Sequence, residues 1–170
     1  MLYPRIASEL LDMGRVDQEM RPGNPRQSKR WDAKVDQRHT NRMKELVKQI
    51  GWPTVSKVGH EAAHAAWLLV QHADHDVDFQ KKCLTLMKSE LETEVERRCI
   101  AYLEDRVRVN LGQPQLYGTQ FDEVDNNFVP WTIENPEQVD ERRLQMGLGT
   151  LQEGIEEMYD AYRTETEGST

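Results

Sequence analysis

Apolar side chains recur every three or four residues along most of this chain, which is the spacing of helices with one buried face. The pattern predicts six or seven helices, which begin near residues 3, 32, 57, 76, 95, 135 and 149. Glycine and proline interrupt it at Gly51-Trp52-Pro53 and Gly112-Gln113-Pro114, as they do at helix ends. No segment shows the alternation of a β-strand. We therefore predict an all-α fold, a single helical domain over residues 1–170.

The third predicted helix, at about residues 57–73, is apolar on nearly every side, which is typical of a central helix surrounded by others. The stretch from Val58 to Gln80 that contains it also holds four of the chain's five histidines. Polar side chains in a core helix are expected to be hydrogen-bonded or to line a site. This stretch is therefore the first place to look for function.

Three segments lack helical periodicity. Residues 21–31 are basic and rich in Pro and Gly, and we predict a mobile connection there. Residues 165–170 are predicted to form a frayed tail. Residues 113–134 are predicted to form one long ordered loop, because the part from Gln115 to Phe121 is too aromatic and too low in charge for a solvated linker. We expect that part to pack over the third and fifth helices.

Composition restricts the kinds of partner. The formal net charge is -8, which disfavours nucleic acid and anionic membranes, since both require a basic surface. No apolar run is long enough to span a bilayer, and the start of the chain does not resemble a signal peptide. We therefore expect a soluble cytoplasmic protein. Cys83 and Cys99 lack the spacing of a zinc knuckle or a redox pair and are predicted to be buried thiols.

The string His60-Glu61-Ala62-Ala63-His64 matches the pattern in which two histidines, one helical turn apart, bind Zn²⁺ and a glutamate activates a bound water. A third ligand is not evident. The glutamates between Glu90 and Glu96 are within range, but they belong to a charged run typical of a solvated surface. His72 or His75 would complete an unusual site. The alternative interpretation is two exposed or hydrogen-bonded histidines.

A second candidate site combines the end of the third helix, the fifth helix and the long loop. His72 is predicted as an acid/base, with Asp105 orienting its ring, Arg106 gripping an anion and Tyr117 contacting the substrate. Further ligand contacts are predicted for Gln71, Asp74, Gln80, Gln115, Thr119 and Gln120. The alternatives are a histidine that caps its helix, a salt bridge at Asp105-Arg106 and a turn that plugs the core. Arg142 and Arg143 are predicted on an exposed helix face.

Four blocks resemble a bacterial family of domains of unknown function, namely IGWPTVSKVG, AAWLLVQHADHDVDFQKKCL, AYLEDRVRVNLGQPQLYGTQF and ENPEQVDERRLQMGL, which carry GWP, QHAD, YLxDRV and QLYGTQ. The resemblance spans roughly residues 36–150 and leaves the first helix outside. It implies a shared site at Gln71, His72, Asp105, Arg106, Tyr117 and Gln120. The family pattern does not require histidine at positions 60 and 64, and the resemblance supplies no reaction.

Three hypotheses follow from the sequence. The first is a polar pocket that binds a small polar or anionic metabolite and acts on it by acid/base chemistry. The second is a zinc-dependent hydrolase that uses His60, Glu61 and His64. The third is a protein-interaction module without catalytic activity, whose acidic surface suits a basic partner. The sequence leaves open whether the protein is an enzyme, which cofactor it uses, if any, and its oligomeric state.

Overall fold

The structure is a computed structural model that describes residues 1–21, 31–124 and 127–167, with side chains to residue 160. Most of the connection predicted for residues 21–31 lies outside these ranges. The described part holds eight α-helices, a 3₁₀ turn and two strands, whose bounds are α1 Pro4–Glu19, α2 Ala33–Ile50, α3 Val55–Val58, α4 His60–Gln71, α5 Val77–Ser89, α6 Arg97–Asn110, β1 Phe121–Val124, β2 Asn127–Pro130, the 3₁₀ turn Pro136–Gln138, α7 Val139–Gln145 and α8 Leu151–Glu167.

The fold is organised around α4. It contacts α1, α2, α3, α5 and α6, as its nearly uniform apolar surface predicts. The predicted third helix begins instead as the single turn α3, which Gly59 separates from α4. Leu69 and Val70 of α4 pack in the same core as Leu10 of α1, Met43 of α2 and Leu103 of α6.

Helix α1 crosses α4 closely at Gly14. A Cβ atom built on Gly14 would lie 3.0 Å from the Cβ of Ala65, so glycine allows the two backbones to approach. Gly14 therefore favours the helix crossing and does not break α1. The buried side of α1 continues one turn further to Asp17, a charged residue at a core position.

The all-α prediction is mostly right but must be corrected in the segment of residues 113–134. Strands β1 and β2 form an antiparallel pair in that segment, with Phe121 opposite Pro130 and Val124 opposite Asn127. Gln115 and Ile133 add an isolated parallel bridge. These strands have four residues each and no alternation in Phe-Asp-Glu-Val, so their pairing leaves little trace in the sequence.

The last helix packs against this hairpin. The Tyr159 hydroxyl accepts a hydrogen bond from the Phe128 backbone N–H, and the two rings meet edge to face at 5.6 Å. Helix α8 runs to Glu167, three residues past its predicted end, and residues 168–170 of the predicted tail lie outside the description. Among the described helices, none has both the length and the apolarity to cross a membrane.

Candidate functional site

A cleft of about 1000 Å³ lies where the end of α4, helix α6 and the hairpin meet the beginning of α2. Its volume is at the upper end of what small-molecule sites occupy. Polar and aromatic side chains from separated segments line it, among them Arg21, Trp31, Asp36, His72, Asp74, Arg106, Asn110, Thr119, Gln120, Phe121 and Trp131. Five residues predicted from the sequence are thus brought to one cavity: His72, Asp74, Arg106, Thr119 and Gln120.

His72 is the cleft residue best suited to proton transfer. It follows the last turn of α4, and its Nδ1 lies 2.8 Å from Oδ2 of Asp17. If Nδ1–H donates to that carboxylate, Nε2 is left as the proton acceptor. Nε2 has no hydrogen-bond partner within the described residues. Such a pair matches the arrangement in which a buried carboxylate fixes the tautomer and orientation of a general base.

Asp17 was not predicted as a site residue. It is 1% exposed, and it also accepts hydrogen bonds from Arg21 and Gln18. Burial alone would raise the pKa of Asp17, but the hydrogen bond and charge of His72, together with Arg21 and Gln18, outweigh burial and lower that pKa. The sequence did contain a signal, because Asp17 continues the apolar stripe of Leu10 and Gly14 at helical spacing.

Arg21 connects this pair to Asp36 of α2. Its Nη2 donates to Oδ1 of Asp36 at 2.5 Å, and the Trp31 indole N–H donates to Oδ2 of the same carboxylate at 2.8 Å. Arg21 and Asp36 are both largely buried. Two carboxylates, one guanidinium and one imidazole therefore form a continuous hydrogen-bonded wall from Trp31 to His72.

Arg106 is held on the cleft wall by Asp74. Its Nε donates to Oδ1 of Asp74 at 2.8 Å, and its Nη2 donates to Oδ2, which makes a two-pronged ion pair. Nη1 donates to Oε1 of Gln120 at 3.1 Å, and Asn110 also donates to Asp74, at 2.8 Å. A guanidinium has five N–H donors, so these three bonds leave two for a ligand.

The carboxylate of Asp74 is the counter-charge of this group. Burial works to raise the pKa of Asp74, while the hydrogen bonds and charge of Arg106, with Asn110 and Gln80, lower it overall. An anion at Arg106 would therefore meet a cation that is already paired, and it would bind through the remaining N–H groups.

The predicted role of Asp105 must be corrected. Asp105 is fully buried in α6 and does not line the cleft. Its carboxylate accepts hydrogen bonds from the backbone N–H groups of Leu116, Tyr117 and Thr119 and from the Thr119 hydroxyl, at 2.7 to 3.2 Å. Burial raises the pKa of Asp105, and the four donors oppose that rise. Asp105 thus stabilises the loop after α6. The position beside His72 that was predicted for Asp105 is occupied by Asp17.

Tyr117 is also displaced from its predicted role. Its hydroxyl donates to Oε2 of Glu104 at 3.4 Å, and burial raises the pKa of Tyr117 to about 12. It does not line the cleft. A phenol with this pKa and an acidic neighbour stays protonated, so we assign Tyr117 no acid/base role.

Three predicted ligand contacts are instead hydrogen-bonding groups within the fold. Gln80 is fully buried and donates to the carbonyl oxygens of Val70 and Gln71, so it caps the C-terminal end of α4. Gln115 is fully buried. Its Nε2 donates to the backbone carbonyl oxygen of Gln120 and its Oε1 accepts from the Gln120 backbone N–H, so the side chain holds the loop before the hairpin. The Gln71 amide lies at α6, where Nε2 is 3.5 Å from the Tyr102 carbonyl oxygen.

The His-Glu-x-x-His motif does not form the predicted pair of zinc ligands. His60 begins α4 with a side chain that is 68% exposed, and its Nε2 lies 3.2 Å from Oε1 of Glu96. The His64 ring contacts the Trp67 ring at a tilt of 49°, with ring centroids 4.9 Å apart, and its Nδ1 is 4.0 Å from Sγ of Cys99. Burial raises the pKa of Cys99 to about 12. Within the described residues, the group of side chains close enough to hold a metal ion contains His64, Glu96 and Cys99 but not His60.

One comparison with known proteins gives a family. A model described as a family of unknown function, DUF6624, matches residues 4–166. Comparisons with curated proteins and with solved structures found no match. The matched range includes α1, which the resemblance at residues 36–150 left outside, and it thus includes Asp17.

Proposed function

The chain belongs to the DUF6624 family of unknown function, and from the geometry of the cleft we propose that it binds a small polar or anionic metabolite there and acts on it by acid/base chemistry. The observation that carries this proposal is the His72–Asp17 pair on the same cleft as the Asp74–Arg106 ion pair. Structural ion pairs alone would have no need of a cavity between them.

In this proposal His72 exchanges a proton with the ligand through Nε2. Asp17 holds Nδ1–H and stabilises the imidazolium when it forms, so the ring is oriented before the ligand arrives. Arg106 supplies hydrogen bonds in a fixed plane, because Asp74 and Gln120 hold its guanidinium. Trp31 and Trp131 give the cleft apolar walls against which a ring or carbon chain packs.

The charges of the described side chains favour a ligand of modest charge. Arg21 is paired with Asp17 and Asp36, and Arg106 is paired with Asp74, so each cation has a carboxylate beside it. A polar ligand with one anionic group fits this arrangement better than a polyphosphate, which requires several unpaired cations.

The test is a ligand screen with matched variants. Nucleosides, amino acids, sugars and sugar monophosphates are each added to the wild-type protein, and the thermal midpoint is measured. We expect at least one compound to raise the midpoint of wild type and of His60→Gln, whose side chain is outside the cleft, but not of Arg106→Ala. Mass spectrometry of the same mixtures then reports whether wild type converts the compound and His72→Gln does not.

Two results would refute this function. One is a panel in which no compound stabilises the wild-type protein. The other is a compound whose stabilisation survives equally in Arg106→Ala and His72→Gln, provided that circular dichroism shows both variants folded. Binding without conversion would retain the ligand site and remove the acid/base role of His72.

A further inference from the structure

A second group of reactive side chains lies near the beginning of α4, whereas the cleft lies at the end of that helix. His64 of α4 meets Glu96 and Cys99, which stand at the first turn of α6 and three residues apart. One ligand atom from each residue lies within 4.8 Å of the other two. Nδ1 of His64 is 4.0 Å from Sγ of Cys99. An imidazole, a thiol and a carboxylate thus converge on one point.

This set matches the ligand chemistry of zinc. Zn²⁺ binds histidine nitrogen at about 2.0 Å and cysteine sulfur at about 2.3 Å, so a tetrahedral site places those atoms about 3.5 Å apart. The observed spacing of 4.0 Å is within about half an ångström of that value. Hard cations such as Mg²⁺ and Ca²⁺ prefer all-oxygen sites, so this mixture of ligands disfavours them.

A small space that is partly open to solvent lies beside these residues. Its volume is about 20 Å³, enough for a water molecule or an ion, and His60, His64, Glu96 and Cys99 are among its lining residues. We propose that His64, Glu96 and Cys99 bind one Zn²⁺ ion at a site that joins α4 to the beginning of α6. The ligands of this site include Glu96 and Cys99 but not His60, which separates it from the hydrolase suggested by the sequence motif.

Neighbouring groups support the orientation of the ligands. Trp67 packs against the His64 ring, and His60 lies 3.2 Å from Glu96, where it would hold that carboxylate as an outer partner. A fourth ligand would be water. When the ion binds, the Cys99 thiol loses its proton to solvent and becomes the thiolate ligand.

Metal titration of the full chain tests the site. Protein freed of metal with a chelator is titrated with Zn²⁺ against a chromophoric competitor, and separately with Co²⁺, whose bond to thiolate gives a charge-transfer absorption. We expect one equivalent of either ion, a thiolate–cobalt band and a higher thermal midpoint with Zn²⁺. Cys99→Ser should abolish the band, and Glu96→Gln, near the surface, should weaken Zn²⁺ binding by at least about tenfold.

Two matched substitutions serve as controls. Glu61→Gln changes the glutamate of the sequence motif, and Cys83→Ala removes the other cysteine, which is buried elsewhere in the core. Both should bind Zn²⁺ like wild type. The proposal is overturned if wild type takes up no zinc, or if the cobalt band persists in folded Cys99→Ser. It is equally overturned if His60→Gln abolishes binding while Glu96→Gln retains it, since the two histidines of the motif would then hold the metal.

Discussion

His72 Nδ1 and Asp17 Oδ2 lie 2.8 Å apart, which joins the end of α4 to the last turn of α1. Asp17 is 1% exposed, so its charged form is stabilised by His72, Arg21 and Gln18 and not by water. The same contact that orients a candidate base therefore also stabilises a buried carboxylate. Stability and proton transfer at this cleft should change together.

The first prediction concerns acid unfolding. Because the pKa of Asp17 is lowered in the folded protein, its contribution to stability is present above the unfolded pKa and is lost as the pH falls through the folded pKa. His72→Gln removes the main lowering partner, so the folded pKa rises and the loss should begin at a higher pH. We also expect a cost of about 1–2 kcal/mol near neutral pH.

Urea unfolding measured from about pH 7 down to about pH 3 checks this. His75→Gln is the control, because His75 is exposed in the next turn and makes no hydrogen bond with Asp17 within the described residues. If His72→Gln and wild type lose stability over the same pH range, the charge of Asp17 does not depend on His72.

The second prediction concerns Asp105, which holds four donors of the loop after α6. Asp105→Asn keeps the size but turns one acceptor into an NH₂ group that faces N–H donors, so at least two bonds are lost in a buried position. We expect a loss of about 3 kcal/mol in unfolding free energy. Asp78→Asn, at a position 96% exposed, should have little effect. Hydrogen exchange at Leu116, Tyr117 and Thr119 should rise in Asp105→Asn alone.

The helices were predictable because a helix with one buried face has apolar residues three or four positions apart, and this spacing is visible in the sequence. The apolar stripes place α1, α2, α5 and α6 within a few residues of their observed bounds. The hairpin was missed because each strand is stabilised by a partner and by Tyr159 of α8, which local spacing does not record. Arg143 was predicted on an exposed face, yet it is 4% exposed and donates to the carbonyl oxygens of Tyr117 and Gly149.

The sequence predicts several residues of the candidate site, but it does not predict which of them form hydrogen bonds with one another. His72, Asp74 and Arg106 were found because polar groups at the ends of apolar helices are conspicuous. Their partners are set by tertiary packing, and Asp17 is separated from His72 by 55 residues. The sequence favours Asp105 as that partner. The structure shows that the carboxylate oxygens of Asp105 already accept hydrogen bonds from the loop after α6.

The third prediction concerns Gly118, whose φ is +67°. A Cβ atom there would lie 2.6 Å from Cδ1 of Leu151 and 2.9 Å from Cδ1 of Ile133, so Gly118→Ala adds a clash to the backbone cost. We expect a loss of about 3 kcal/mol in unfolding free energy. Gly112→Ala is the matched control, because its φ is +69° with no atom within 4 Å of the new Cβ, and it should lose only about 1 kcal/mol. Equal losses would show that the loop yields to the added methyl group.

The fourth prediction concerns the Asp74–Arg106 pair, which holds the guanidinium proposed to contact the ligand. Their side chains are 42% and 31% exposed, so solvent screens the pair despite its two-pronged geometry. A double-mutant cycle with Asp74→Asn and Arg106→Gln should give a coupling of about 1 kcal/mol that falls in 1 M salt. The exposed Arg15–Glu19 pair should give a smaller coupling. A coupling no larger than that control would mean that Asp74 leaves the guanidinium unrestrained, and Gln120 would be its remaining anchor in the cleft.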